Sequence, residues 1–339
     1  MRVDEACEST FARHETFHPR LGWFRKAFLA AARSQGDFFL ADDAPVRLGV
    51  GKNMVRSIRF WGSAAHLITD VPNPARPRVP STAATNAGMG FLAPDGLDPY
   101  MENVATWWWL HWLLLAPGSQ LPVWWLLLNE MNAVEFDDDL ALRVCIDAVD
   151  ASSFDSPHHS SIEKDITAFL RTYTEGDSGR GKYDDQFGCP LRDLRLVTST
   201  AGRHRLAAEP SRDLPDELVL AAVLDYLAMT GATARTVSLA RLATEPGSPA
   251  RVFRLTEEHL ADKLAGAAKR VSQVTLTAPA GAPQLGWRGA TAELAHRTLC
   301  QYFEVSPARP TMAGPAAREP SVDRELELMV AEYGRGVVL

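Results

Sequence analysis

Apolar positions recur at three- and four-residue steps through most of this chain, so the pattern predicts a mainly α protein with small β hairpins. The first such stretch is 21–32, where Leu21, Phe24, Phe28 and Ala31 make a stripe that excludes Arg25 and Lys26. The next has two opposed faces. Met54, Ile58, Trp61, Ala65 and Ile68 share one side, and Lys52, Arg56, Arg59 and Ser63 recur at the same steps on the other. A short helix is predicted over 43–48, carrying Arg47, and Gly49 and Gly51 permit a tight turn after it. Asn53 is the expected N-cap of the two-faced helix, which should run to about residue 69. Short helix, glycine turn and two-faced helix is the order of a helix-turn-helix. The small-residue, glycine-bearing segment 82–92 reads as a wing or strand pair. Residues 11–95 are therefore a predicted winged helix-turn-helix unit.

Two strongly apolar runs follow, 102–115 and 123–131, holding Trp107, Trp108, Trp109, Trp112, Trp124 and Trp125. They predict a buried helical hairpin, because neither approaches the roughly twenty apolar residues that a membrane span needs. The acidic run 129–140 reads as a solvated helix start. Helices are predicted over 140–149 and 162–173, and strands over 194–198 and 203–206. Residues 96–212 are thus a Trp-rich helical core with acidic clusters. Helices over 215–230, 236–243 and 256–268, then a hairpin of 271–276 with 284–287, predict a winged-helix-like unit at 213–305. Its last helix opens on Glu257-Glu258, which suits packing or a homodimer contact better than DNA. Residues 306–339 read as a Pro/Ala/Arg-rich linker and a tail helix, and residues 1–10 are expected to fray.

Charge sharpens the picture. The chain of 339 residues carries a net charge of -7, so it does not coat nucleic acid by bulk attraction. Residues 1–100 hold 12 Lys/Arg against 10 Asp/Glu, while residues 101–200 hold 7 against 16. A mildly basic front and an acidic middle suit a protein that grips DNA at one place and holds a metal at another. No Asp or Glu lies between Asp43 and Asp70, so no neighbour in sequence neutralises the basic face. Cys7, Cys145, Cys189 and Cys300 have neither zinc nor redox spacing, and scattered cysteines fit a reducing cytoplasm.

The candidate chemistry lies in three places. His14-Glu15-Thr16-Phe17-His18 has the spacing of a zinc-protease helix. Pro19 argues against that helix, because it disfavours helical geometry at His18 and no third ligand follows at a standard distance. His14 and Glu15 stand instead as a candidate acid–base pair, or as groups satisfying turn amides. Asp98 and Glu102 can converge at a helix start, where one or two carboxylates with waters would hold magnesium; the same pair also reads as a helix cap. Asp184 and Asp185 are a second carboxylate pair. Lys52, Asn53, Arg56, Arg59 and Arg47 are the candidate DNA contacts, chiefly to backbone phosphates.

Several of these motifs together resemble a bacterial family encoded beside cysteine desulfurases and sulfurtransferases in DNA phosphorothioation clusters. They are His14-Glu15-Thr16-Phe17, Arg20-Leu21-Gly22-Trp23, the run from Leu48 to Trp61, and Asp98-Pro99-Tyr100-Met101-Glu102 with Trp109-Leu110 and Leu114. The resemblance is dense over 11–135 and looser to about 305. It implies a DNA-nicking endonuclease acting in sulfur modification and phage defence. That enzyme would depend on Mg2+ or Mn2+, act on double-stranded DNA, and work beside cysteine desulfurase and sulfurtransferase/ATPase components. No carboxylate pair followed by Glu-x-Lys and no His-Asn-His arrangement occurs, so the residues alone favour a non-catalytic DNA-binding adaptor or a winged-helix regulator.

Overall fold

The computed structural model describes residues 1–33, 38–73, 76–174, 188–208 and 212–304. The chain opens on α1 (Val3–Ala6), which is docked rather than frayed, with Val3 and Ala6 buried. The Ala6 carbonyl accepts from the Gly118 and Ser119 amides at 2.6 and 3.1 Å, so a later loop pins the first turn. Next come α2 (Trp23–Arg33), α3 (Ala44–Leu48) and α4 (Lys52–Ala64). Gly49 adopts φ 66° and closes α3 with a left-handed residue, as glycine does without strain.

α4 begins one residue earlier than its predicted cap: Gly51 is the N-cap and Asn53 lies inside the first turn. It also ends sooner. His66 takes φ 56°, which no helix can continue, and by Ile68 the chain is a strand. That strand, β1 (Ile68–Val71), pairs antiparallel with β2 (Ser81–Ala84). The predicted wing over 82–92 is thus half strand and half helix, because α5 (Asn86–Leu92) follows directly. Thr85 caps α5 through Gly88 N at 3.0 Å, and a Cβ at Gly88 would press into the Leu67 carbonyl.

α6 (Val104–Leu115) and α7 (Pro122–Asn129) form the predicted hairpin. α6 is apolar all round, and Ala105 through Leu115 are all buried, as a helix at the centre of a core must be. Buried indoles usually find a polar partner, and two of these do, while Trp108, Trp109 and Trp125 have none among the described residues. Trp112 donates to Asp225 at 2.8 Å and Trp124 to the Asp165 carbonyl at 3.1 Å. The acidic run then starts a helix as predicted. Asp137 accepts from Leu140 N at 2.9 Å at the head of α8 (Asp138–Asp150), which follows the short β3 (Glu135–Phe136). After α9 (His159–Tyr173) come β4 (Val197–Thr200) and β5 (Arg203–Leu206), ordered β3-β5-β4 in one antiparallel sheet.

The C-terminal part runs α10 (Asp216–Met229), β6 (Thr236–Ser238), α11 (Leu239–Thr244), α12 (Pro249–Val252), α13 (Glu257–Ala268), β7 (Val274–Thr277), β8 (Gln284–Trp287) and α14 (Thr291–Tyr302). Residues 236–238 leave the predicted short helix to pair with β8, giving the order β6-β8-β7. α14, not foreseen, packs along α10 and buries Leu294, Ala295 and Leu299. The predicted linker and tail helix lie outside the described residues. Among the described residues, no helix is long and apolar enough to cross a membrane.

His111 sits fully buried in the middle of α6. Its Nε2 faces the Val252 carbonyl at 3.0 Å and its Nδ1 the Tyr173 hydroxyl at 2.6 Å. The carbonyl can only accept, so Nε2 carries the proton and the phenol donates to Nδ1. Burial holds the His111 pKa down to about 4. The folded value therefore lies below the ordinary one, and the neutral ring contributes stability above about pH 6.5 that is lost as pH falls toward 4. The loss is on the order of 3 kcal/mol. Melting temperature should drop across that window, and His111→Gln should flatten the slope. Equal slopes in the two proteins would remove His111 as the cause.

Candidate nucleic-acid groove

α4 supplies the site's frame. Its inner face is fixed by Val55, Ile58 and Trp61, all buried, so Lys52, Asn53 and Arg56 are left exposed on the other. The basic face is not unopposed, contrary to the expectation from neighbours in sequence. Arg56 reaches Glu15 at 3.5 Å and Arg59 reaches Asp70 at 2.7 Å. Those carboxylates arrive from the N-terminal loop and from β1.

The N-terminal loop is held in an unusual shape. Ala12, Glu15 and Thr16 have φ of 52°, 51° and 65°, the left-handed region that side chains resist. Such strain persists only where the surroundings over-determine it. Here Asp165 of α9 is the clamp. Its carboxylate accepts from Ala12 N at 3.0 and 3.2 Å and meets His14 Nε2 at 2.7 Å. Ser57 of α4 donates to the His14 carbonyl at 3.0 Å, and the imidazole lies parallel to Trp61 at 5.9 Å. His14 is 0% exposed, so its ring cannot meet a substrate in this conformation. Because Nε2 donates to the carboxylate, a neutral ring leaves Nδ1 as an acceptor, and that atom is buried with no hydrogen-bond partner. Burial pushes the Asp165 carboxyl above its ordinary range, against the pull of His14. Residues 14–18 form turns and loop, not the helix a zinc-protease motif needs.

Glu15, Arg56 and Arg59 converge on one groove of about 1050 Å³. Arg13, Phe60, Asp70, Gln120, His158 and Ser161 also line it. Lys52 and Asn53 sit one turn before Arg56 on the same helix, outside the groove. Arg47 does not line it either; it lies over the Phe38 ring at 4.1 Å and pairs loosely with Asp43.

The carboxylate pair 98/102 lies elsewhere, beside Asn103 and Tyr302. Asn103, not Asp98, is the N-cap of α6. Asp98 is buried and ties the preceding turn, accepting from Glu102 N at 3.1 Å, Asn103 N at 2.9 Å and Thr106 Oγ1 at 2.6 Å. Glu102 is exposed beside it. Asp184 and Asp185 lie outside the described residues. Among the described residues, no three His, Cys, Asp or Glu side chains gather as a metal-holding group.

Sequence reasoning missed Arg13, Asp70, Gln120, His158 and Asp165. One signal was available. Asp165 falls on the apolar stripe of its helix with Ile162, Ile166 and Phe169, and a carboxylate at a core position asks for a buried partner.

A family model described as "Protein of unknown function (DUF4007)" matches residues 11–303. This chain belongs to that family. Two solved structures resemble this DUF4007 protein along its whole length. The "SspB crystal structure" is 32% identical, with a TM-score of 0.87, covering 99% of each chain. The "Magnesium ion-bound SspB crystal structure" is also 32% identical, with a TM-score of 0.85, covering 98% of this chain and 99% of that one. A search of curated protein sequences gave no significant match. The resemblance read from the motifs is borne out: the DUF4007 chain is SspB-like from end to end.

Proposed function

We propose that this protein binds duplex DNA through the outer face of α4 and nicks one strand, as part of a DNA phosphorothioation system. The observation that carries this reading is the full-length likeness to SspB at 32% identity. Lys52, Asn53 and Arg56, exposed at the head of α4, support the DNA-binding half. Guanidinium and ammonium groups there would take backbone phosphates, which position a duplex without reading its sequence. α3, the glycine turn, α4 and the β1–β2 pair would then act as a winged helix-turn-helix, with α4 against the DNA. The C-terminal part has the strand and helix order of a second winged helix. Since α13 starts on Glu257 and Glu258, its use is packing, or contact with a second copy. Cysteine desulfurase and sulfurtransferase/ATPase components are the proposed partners, and the reducing cytoplasm the proposed setting.

Magnesium was bound in one SspB structure. The described residues of this chain fit that ion poorly at 98 and 102. Both Asp98 oxygens already accept hydrogen bonds, so the carboxylates left open there are Glu102 and Glu304, both exposed at the surface. Glu15 is the carboxylate paired with Arg56, one of the proposed DNA contacts, so in this proposal it is the candidate catalytic group and His14 orders the loop behind it. The test is relaxation of supercoiled plasmid by the full chain. Open-circular product is expected with magnesium or manganese and none in EDTA. A gel shift without nicking under every metal condition would replace the nickase with the adaptor. Binding confined to a single operator sequence would favour the regulator.

A further inference from the structure

We infer that the groove between the N-terminal loop, α4 and the head of α9 is a second seat for the phosphodiester backbone, so that DNA runs from Lys52 and Arg56 across α4 to Arg13 and His158. The inference rests on the DNA-binding reading above and extends it to residues on two other elements. Three guanidinium side chains line this groove, Arg13, Arg56 and Arg59, interleaved with three carboxylates, Glu8, Glu15 and Asp70. Arg56 and Arg59 are held by Glu15 and Asp70, but Arg13 is exposed and makes no hydrogen bond or ion pair among the described residues. A cation aimed into a cavity with no partner of its own is placed for a partner that comes from outside.

The opposite wall has matching chemistry. α9 has fifteen residues, and no side chain caps its start. Pro157, His158 and Ser161, at that start, line the groove. The first amides of an uncapped helix attract an anion, and here they share one groove with the three arginines. Gln120, which donates to Ser63 Oγ at 3.2 Å, adds an amide at the groove's side.

The carboxylates in the lining, Glu8, Glu15 and Asp70, do not spoil the seat. Part-exposed ion pairs such as Glu15–Arg56 contribute little, because water screens them. A phosphate offers an arginine two parallel hydrogen bonds in their place. Displaced from Arg56, the Glu15 carboxylate would stand beside the bound backbone, on the loop that Asp165 holds rigid.

The experiment compares full-length wild type, Arg13→Ala, His158→Ala and the Lys52→Glu/Arg56→Glu pair. Affinity for two duplexes of unrelated sequence is read by fluorescence anisotropy over a salt series. Arg13→Ala is expected to weaken both duplexes alike and to lower the salt-dependence slope by about one. His158→Ala is expected to weaken both by a smaller factor. Neither change touches a buried contact, so melting temperatures should match wild type. If Arg13→Ala and His158→Ala bind as wild type while the α4 pair has lost affinity, the groove inference falls and the α4 reading stands. If wild type binds neither duplex, both fall. A loss confined to one sequence would mean base contact at Arg13 and would overturn a backbone seat.

Discussion

Lys52→Glu combined with Arg56→Glu should cut affinity for duplex DNA by at least about a hundredfold near 50 mM salt, because two phosphate contacts vanish and two repulsions replace them. Each cation that neutralises a phosphate releases a condensed counterion, and the slope of log affinity against log salt counts them. The slope should therefore shallow by about two in the double variant. Both residues are exposed and neither fills the core, so the folded state is not at issue. Arg56→Glu has a further effect: it sets a new carboxylate against Glu15, which now has a like charge where it had a partner at 3.5 Å. Anisotropy titrations of the full chain give both numbers. An affinity within about threefold of wild type, with an unchanged slope, would mean that the head of α4 does not touch the duplex.

How much of this could be read along the chain follows from where the deciding contacts lie. The opposed faces of α4 were legible because helical periodicity is a local property: Ile58 and Trp61 turned inward and Lys52 and Arg56 outward, as the spacing required. The Trp-rich hairpin was legible for another local reason, two continuous apolar runs separated by Ala116-Pro117-Gly118. α14 was missed although Leu294, Ala295 and Leu299 fall on one face at helical steps; the chain alone does not show that α10 is the surface it packs on. Strand edges failed similarly. Residues 236–238, Thr-Val-Ser, carry strand-favouring β-branched side chains, but three residues are too few to stand out from the helix that follows, and their partner lies some fifty residues later. The site was half legible. His14, Glu15, Arg56 and Arg59 were marked by type and spacing. Asp165, which fixes the first two, and Asp70, which pairs with the last, were invisible, because nothing local joins residue 14 to residue 165. The pair 98/102 shows the opposite limit. Its spacing allowed both a ligand pair and a turn lock, and the Thr106 hydroxyl, four residues beyond Glu102, gives Asp98 a third donor as a turn lock.

Asp165→Ala should destabilise the fold by on the order of 3 kcal/mol, since two donors lose their acceptor at about 1–3 kcal/mol each. The variant leaves the half-buried Ala12 amide and the buried His14 Nε2 without their acceptor, and an unmade buried hydrogen bond is expensive. Asp165→Asn should lose much less, since the oxygen that meets both Ala12 N and His14 Nε2 has an equivalent in the amide. His14→Ala removes the same pair from the other side and leaves a gap beside Trp61, so the two alanine changes should be strongly non-additive. Burial raises the Asp165 pKa, so its ionised form opposes folding as pH climbs through the folded value. The alanine variant lacks that effect, and its deficit relative to wild type should narrow as pH rises. Function should fail together with stability. Without the clamp, the left-handed residues 12, 15 and 16 can relax, and Arg13 and Glu15 leave the groove although Asp165 touches no DNA itself. Melting curves and anisotropy on the same four proteins separate the cases. A clamp lowers both readouts in Asp165→Ala and restores both in Asp165→Asn, whereas a carboxylate with only a core role lowers the melting temperature and leaves DNA affinity where it was.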